Sequence, residues 1–150
     1  LESLLQHLLS PILDLFNGEV VSYSLTGSPS FAGTIEMLKK AFQRLPEKVE
    51  LILHSDQGWQ YQMRPYQKLL VERGIQQSMS RKGNCYDNAV IENFFGLLKS
   101  EFFDNNTFQT VCEFQKELTK YLDYYNNDRI KVKLKGLSPV AYRTQSLCVT

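Results

Sequence analysis

Val49-Glu50-Leu51-Ile52-Leu53-His54-Ser55-Asp56-Gln57-Gly58 opens the part of the sequence that decides the fold, and Asn88-Ala89-Val90-Ile91-Glu92-Asn93, running on to Lys99, closes it. Val49 to Leu53 is a short β-rich run that predicts a buried strand. Asp56 follows where that strand gives way to a loop, a common place for a working carboxylate. Positions 88 to 103 read as a helix: at about 100° per residue, Val90, Ile91, Phe94, Leu97 and Leu98 gather on one side and Asn88, Glu92, Gly96 and Lys99 on the other. Glu92 therefore faces away from the core, with a lysine two turns on. Asp56 and Glu92 are separated by 35 intervening residues.

Working outward toward the N-terminus, Ser10 to Phe16 and Glu19 to Leu25 are β-leaning runs separated by Asn17-Gly18, which predicts an antiparallel hairpin. Asp14 reads as a polar residue near a strand end before the turn, in preference to a catalytic carboxylate. Leucines at 1, 4, 5 and 8 have the spacing of one helical face. Ser28-Pro29-Ser30 offers a helix start, and Ala32, Ile35, Leu38, Ala41 and Phe42 form a stripe that Leu45-Pro46 stops. Leu69, Leu70 and Val71 mark a short helix closed by Gly74, and Ile75 to Met79 a further strand. Hairpin, helix and strand together predict an α/β layer architecture with a mixed sheet. Trp59, Tyr61 and Tyr66 read as core or loop staples and not as base-stacking groups.

Toward the C-terminus, Val111 to Tyr125 predicts a second long helix, with Phe114, Leu118, Tyr121, Leu122 and Tyr125 assigned to the core. Arg129 to Lys135 alternates basic and apolar residues, which suits an extended segment with one basic side able to track phosphates or a partner chain. Leu137 to Tyr142 predicts a short capped turn of helix with Pro139 first.

The 150 residues suit one domain able to bury a real core. With 17 basic against 16 acidic residues the net charge is +1, so whole-chain electrostatics do not announce a nucleic-acid partner. From Phe114 to Arg143, however, seven Lys or Arg face three acids. That excess suits a phosphate-binding surface or an ordinary solvated face. Three cysteines without a Cys-x-x-Cys pair argue against a disulfide framework or zinc site and fit a reducing cytosol. The apolar start carries Glu2, His7 and Asp14 and no cleavage signal, which argues against a signal peptide or membrane span.

HSDQGWQY (54–61), SRKGNCYDNAVIENFFGLLKSEF (80–102) and YYNNDRIKVKLKGLSPVAYR (124–143) together resemble the integrase-core domain of bacterial insertion-sequence transposases, relatives of the retroviral integrases. The resemblance covers Leu9 to Arg143. It implies an RNase H-like mixed sheet flanked by helices, a 9–128 catalytic core preceded by an atypical segment 1–8, and a basic tail 129–150 of the same domain. It also implies two Mg²⁺ or Mn²⁺ ions, with Asp56 and Glu92 as metal ligands. Water would first free a 3′-hydroxyl, which would then attack target DNA. Lys99 would hold DNA near the scissile phosphate, with Arg81, Lys82, Arg129, Lys131 and Lys133 as further DNA contacts. The implied partners are transposon ends, target DNA and a second transposase subunit, in a bacterial cytoplasm.

In the family a first Asp lies on a central strand before the one resembled by residues 9–14, and the given sequence starts too late to contain it. The expectation is a core lacking that strand, with unpaired edges on its neighbours and impaired strand transfer. A metal-dependent nuclease or resolvase on the same fold is one alternative reading. A non-catalytic DNA-binding or oligomerising fragment is another.

Overall fold

The structure is a computed structural model and describes residues 8–28, 30–81 and 88–148. The helical reading of residues 1–8 lies outside them except for Leu8, as do Lys82, Cys85 and Asp87. The described residues fall into two compact units, one drawn from 8–10 and 24–95 and the other from 11–23 and 96–148.

Strands β1 (Leu9–Leu13) and β2 (Val20–Leu25) pair with each other. Hydrogen bonds from Asp14 N–H to Glu19 O (2.9 Å) and from Thr26 N–H to Leu8 O (3.0 Å) show that they run antiparallel. The hairpin was expected, but its tight Asn-Gly turn is not found. Gly18 N–H donates to Asp14 O (2.7 Å) across a wider loop, with Gly18 at φ 74°, where a Cβ would be strained. Asn17 is drawn inward: its Nδ2 donates to Pro139 O (2.9 Å) and its Oδ1 accepts from Glu19 N–H (3.1 Å). It cannot also sit at the corner of a two-residue turn. Asp14 accepts Phe16 N–H on Oδ1 (2.8 Å) and serves the loop.

In the first unit, Ser30 Oγ accepts Gly33 N–H (3.0 Å) and starts helix α1 (Phe31–Phe42), which buries Met37, Leu38, Ala41 and Phe42. Strands β3 (Leu51–Ser55) and β4 (Ile75–Met79) pair in parallel, from Leu51 opposite Ile75 to Ser55 opposite Met79. A 3₁₀ turn (Trp59–Gln62) and helix α2 (Arg64–Glu72) connect them, longer than the short helix expected. Tyr66 and Leu70 of α2 are buried.

Strand β3 begins at Leu51 instead of Val49, and it is not buried: Leu51 is 41% and Ile52 62% exposed. Among the described residues β1 pairs with β2, antiparallel, and β3 with β4, parallel, and the other edge of β3 is unpaired, in keeping with the mixed α/β architecture expected. Trp59, read as a core or loop staple, is 54% exposed and only leans toward the Phe31 ring at 6.5 Å.

Helix α3 (Ala89–Leu98) buries Phe94, Phe95 and Leu98 but leaves Val90 half exposed, so Val90 does not belong to the apolar face. The expected helix to residue 103 changes pitch at Lys99. Lys99–Phe103 form a π turn in which Asp104 N–H donates to Lys99 O five residues back (2.9 Å).

In the second unit, Thr110 caps helix α4 (Val111–Asn127) by accepting Glu113 N–H (3.1 Å). Phe114, Leu118, Leu122 and Tyr125 are buried on it, as the helical spacing requires. Phe102, Phe108 and Phe114 pack ring on ring within 6 Å. Asn126 grips Val20 twice, accepting its N–H (2.8 Å) and donating to its carbonyl (2.9 Å), much as a neighbouring strand would. Helix α5 (Pro139–Cys148) starts at Pro139 as expected but runs well past Tyr142. Its Arg143 meets the buried Glu19 carboxylate through Nε (2.8 Å).

The segment 129–135 is not extended. After a single bridge from Lys131 to Leu137, Val132–Leu134 turn as a 3₁₀ helix that Lys135 ends in the left-handed region (φ 57°). Leu134 is buried and Val132 is 97% exposed, the reverse of a strand that hides one apolar side.

Candidate functional site

Asp56 directly follows β3. Its Oδ1 accepts the backbone N–H of Gly58 (2.8 Å), and a Cβ at position 58 would stand 3.0 Å from that oxygen, so glycine lets the loop close on the carboxylate. Asp56 is exposed. Burial raises the nearby Tyr61 phenol above its usual pKa, a hydrogen bond from Gln60 opposes this, and the Asp56 charge adds to the rise.

Glu92, also exposed, sits in the first turn of α3, where a carboxylate complements the helix dipole. The link between the two carboxylates' elements runs through Ser80, a buried residue just past β4. Its N–H donates to Ser55 O (2.8 Å), and its carbonyl accepts from Gln57 Nε2 (3.1 Å). Its hydroxyl lies 2.7 Å from Asn88 Oδ1, 3.2 Å from Ser55 O and 3.1 Å from His54 Nε2. The residues beside Asp56 and the residue before α3 are thus tied to one serine. The sequence offered no sign of this, because Ser80 opens a polar, glycine-bearing stretch that reads as solvated loop. Asn88, the residue before α3, accepts the Ser80 hydroxyl on its side-chain oxygen.

Two carboxylates are hard oxygen donors of the type Mg²⁺ and Mn²⁺ prefer, so the donor chemistry fits such an ion. Among the described residues, no group of three or more His, Cys, Asp or Glu side chains gathers as a metal cluster. A groove of about 330 Å³ between α1 and α2 is lined by Phe31, Ile35, Pro65 and Leu69 among others, and includes neither Asp56 nor Glu92.

The basic residues divide. Arg81 and Lys133 are exposed, and Lys99 is half-buried at the start of the π turn. Lys82 lies outside the described residues. Arg129 and Lys131, expected on the basic side of an extended segment, are instead engaged within the second unit. Arg129 Nε lies 2.7 Å from Glu101 Oε2, its Nη2 meets Oε1 of the same carboxylate, and its guanidinium stands over the Tyr125 ring. Lys131 Nζ donates to Tyr125 Oη (2.7 Å) and lies 4.3 Å from that ring's centre. Burial, with a smaller contribution from Arg129 that Glu101 opposes, pushes the Lys131 amine down to about 8.

No helix among the described residues is long and apolar enough to cross a membrane.

The sequence matches the integrase core domain family over residues 6–85 and again over 92–147. It is 57% identical over 139 residues to an uncharacterized transposase-like protein of Haemophilus influenzae, covering 93% of this chain and 64% of that protein. It is 55% identical over 138 residues to the InsK protein of insertion sequence element IS150 in Escherichia coli (strain K12), covering 92% of this chain and 49% of that one. The chain therefore spans about half to two thirds of the length of these relatives. Among solved structures, the HTLV-2 integrase catalytic core domain in complex with magnesium superposes with a TM-score of 0.60 at 19% identity, covering 85% of this chain and 78% of that one. The likeness shows the fold: an RNase H-like α/β core.

Proposed function

The chain belongs to the integrase core domain family, and from that premise we propose that it supplies the metal-binding carboxylates Asp56 and Glu92 to phosphodiester cleavage and strand transfer in DNA transposition. The observation that supports this most is structural. The family's Asp and Glu, separated by 35 residues, lie in one compact unit and are exposed, and Ser80 ties their elements together. When bound, a pair of divalent ions activates the attacking oxygen and stabilises the leaving oxygen of an in-line displacement. The magnesium-bound relative is consistent with that ion class.

The chain's own residues contribute in distinct ways. Asp56 is held by Gly58 N–H with its carboxylate open to solvent, and Glu92 projects from the first turn of α3. Lys99, Arg81, Lys82 and Lys133 are the DNA contacts on this reading. Arg129 and Lys131 act one step back, by fixing the segment that presents Lys133. Water excluded from the scissile phosphate by bound DNA would strengthen each of these charge interactions. A second transposase subunit and a cytosolic setting belong to the same reading.

Incubation of the chain with labelled duplex carrying a transposon end, in Mn²⁺, tests the proposal. Processed and joined products that disappear with Asp56→Ala or Glu92→Gln support strand transfer. Nicking without joining selects the nuclease reading. Metal-independent DNA binding with no product, unchanged in the Asp56→Ala, Glu92→Ala double variant, contradicts a catalytic role and leaves a DNA-binding fragment.

A further inference from the structure

Four polar side chains make an unbroken line from β4 across β3 to the start of α3. Ser78 Oγ lies 3.0 Å from His54 Nδ1, His54 Nε2 3.1 Å from Ser80 Oγ, and Ser80 Oγ 2.7 Å from Asn88 Oδ1. Proton counting fixes its direction. A hydroxyl has one proton to give, and the shorter approach, to Asn88 Oδ1 instead of Ser55 O at 3.2 Å, takes it. The Ser80 oxygen is then an acceptor toward His54, so His54 Nε2 carries the hydrogen. Its Nδ1 is left to Ser78 Oγ, 3.0 Å away. With Asn88 Oδ1 as the acceptor of the Ser80 hydroxyl, every member of the line has a partner.

The line lies where it can set the metal-binding geometry. His54 is two residues before Asp56 on β3, and Asn88 is one turn before Glu92. Both Asp56 and Glu92 are exposed, so packing of their own side chains does little to aim them. Backbone bonds from Ser80 to Ser55 and from Gln57 to Ser80 fix the serine to the Asp56 loop. What the serine hydroxyl adds is the hold on α3.

We propose that Ser80 is a positioning residue whose hydroxyl, in line with His54 and Asn88, sets the first turn of the Glu92 helix against the Asp56 loop. This rests on the reading of Asp56 and Glu92 as metal ligands for its functional meaning. The physical coupling stands or falls separately. Ser80 and Asn88 touch no metal in this proposal, and substituting either leaves both carboxylates in place. Because the hydroxyl is one link among several holds on the Asp56 loop, its loss should loosen α3 without unfolding the unit.

The test uses the whole chain in four forms: unsubstituted, Ser80→Ala, Asn88→Ala and the double variant. Metal-free ¹⁵N spectra of the His54 ring come first. The line requires that Asn88→Ala, which removes no atom touching His54, still shifts the His54 nitrogens by releasing the Ser80 hydroxyl. Amide exchange at residues 91–93 should quicken by roughly fivefold in each single variant, the effect of one hydrogen bond. It should quicken no further in the double variant, because residues in one network are not additive. Ser80→Thr, which keeps the hydroxyl, should restore slow exchange. Mn²⁺ affinity should fall by a similar factor in the Ala variants and return with Thr.

An unmoved His54 signal in Asn88→Ala, or additive effects in the double variant, overturns the positioning role whatever the metal does. If the exchange and ring signatures appear while the unsubstituted chain binds no Mn²⁺, the coupling is upheld and it is the metal reading under Proposed function that fails.

Discussion

Arg129 grips Glu101 across 28 residues of sequence: Nε lies 2.7 Å from Oε2 and 3.0 Å from Oε1, while Nη2 meets Oε1 and Tyr121 Oη donates to Oε2 at 2.8 Å. The clasp fixes the 129–135 segment to the π turn that begins at Lys99. Arg129→Ala should therefore lower stability by about 1 to 2 kcal/mol, the scale of a charge-assisted hydrogen-bond pair that is partly buried. The urea midpoint measures it.

The same pair sets a pH signature. The Arg129 hydrogen bond, opposed by burial and assisted by Tyr121, holds the Glu101 carboxyl below its ordinary value of 4.5. With its folded pKa depressed, its stabilisation is fully present above the unfolded value and is lost as pH falls through the lower folded one. The midpoint gap between the unsubstituted chain and Glu101→Gln should stay constant from pH 7 to about 5 and close in acid. A gap that widens in acid would contradict the assignment.

Lys131 carries the opposite sign. Its amine is pushed down to about 8, against 10.5 for an ordinary lysine. Between those values the unfolded chain holds more protons than the folded one, so stability rises with pH. Relative to Lys131→Met, the unsubstituted chain should gain stability on going from about pH 7.5 to 9.5. Comparison with the variant cancels the tyrosines, which titrate in both proteins.

Glu19 is 2% exposed and Arg143 is its charged partner. Arg143→Ala removes the charge-assisted bond to this buried carboxylate, which Asn17 Nδ2 also approaches (3.3 Å), and should cost about 2 kcal/mol. Replacing both by leucine should cost less than that single change, measured by the same denaturation. The pair explains why the NGE of the hairpin loop and the PVAYR of the last helix belong to one unit.

DNA contacts should follow the division among the basic residues. Lys99→Glu and Lys133→Glu should each weaken binding to short duplex DNA and lower the slope of log affinity against log salt by about one. Lys131→Met should leave that slope unchanged, because its amine is held by Tyr125. Titrations at two salt concentrations separate the cases, and an equal loss of slope in all three would overturn the division.

How far the sequence could be read depended on whether a signal was local. Helix α1 with its Ser30 cap, the pair β3 and β4, and the carriers of Asp56 and Glu92 all follow from periodicity and flanking residues. The misreadings have a common cause in partners far along the chain. Residues 129–135 looked like an extended segment because the hold of Glu101 on Arg129 and of Tyr125 on Lys131 is invisible to a local pattern. Asn17-Gly18 looked like a tight turn because nothing nearby in sequence announces Pro139 O. Val49 to Leu53 looked like a buried strand because apolar residues carry no mark of a neighbouring strand to cover them. Ser80 was missed for the converse reason: a buried serine reads like an exposed one until its three polar groups are seen to be spoken for.

If Asp56 and Glu92 together hold a divalent ion, Mn²⁺ titration of the unsubstituted chain, Asp56→Ala, Glu92→Gln and Lys99→Glu, followed by electron paramagnetic resonance, should separate the ligands from their neighbours. Loss of either ligand should weaken binding by roughly tenfold or more, since even groups behind a metal's ligands change affinity that much. Lys99→Glu should stay within about twofold, because a phosphate contact does not touch the ion. Mn²⁺ affinity that is unchanged in both Asp56→Ala and Glu92→Gln would rule out the two carboxylates as the ion's ligands.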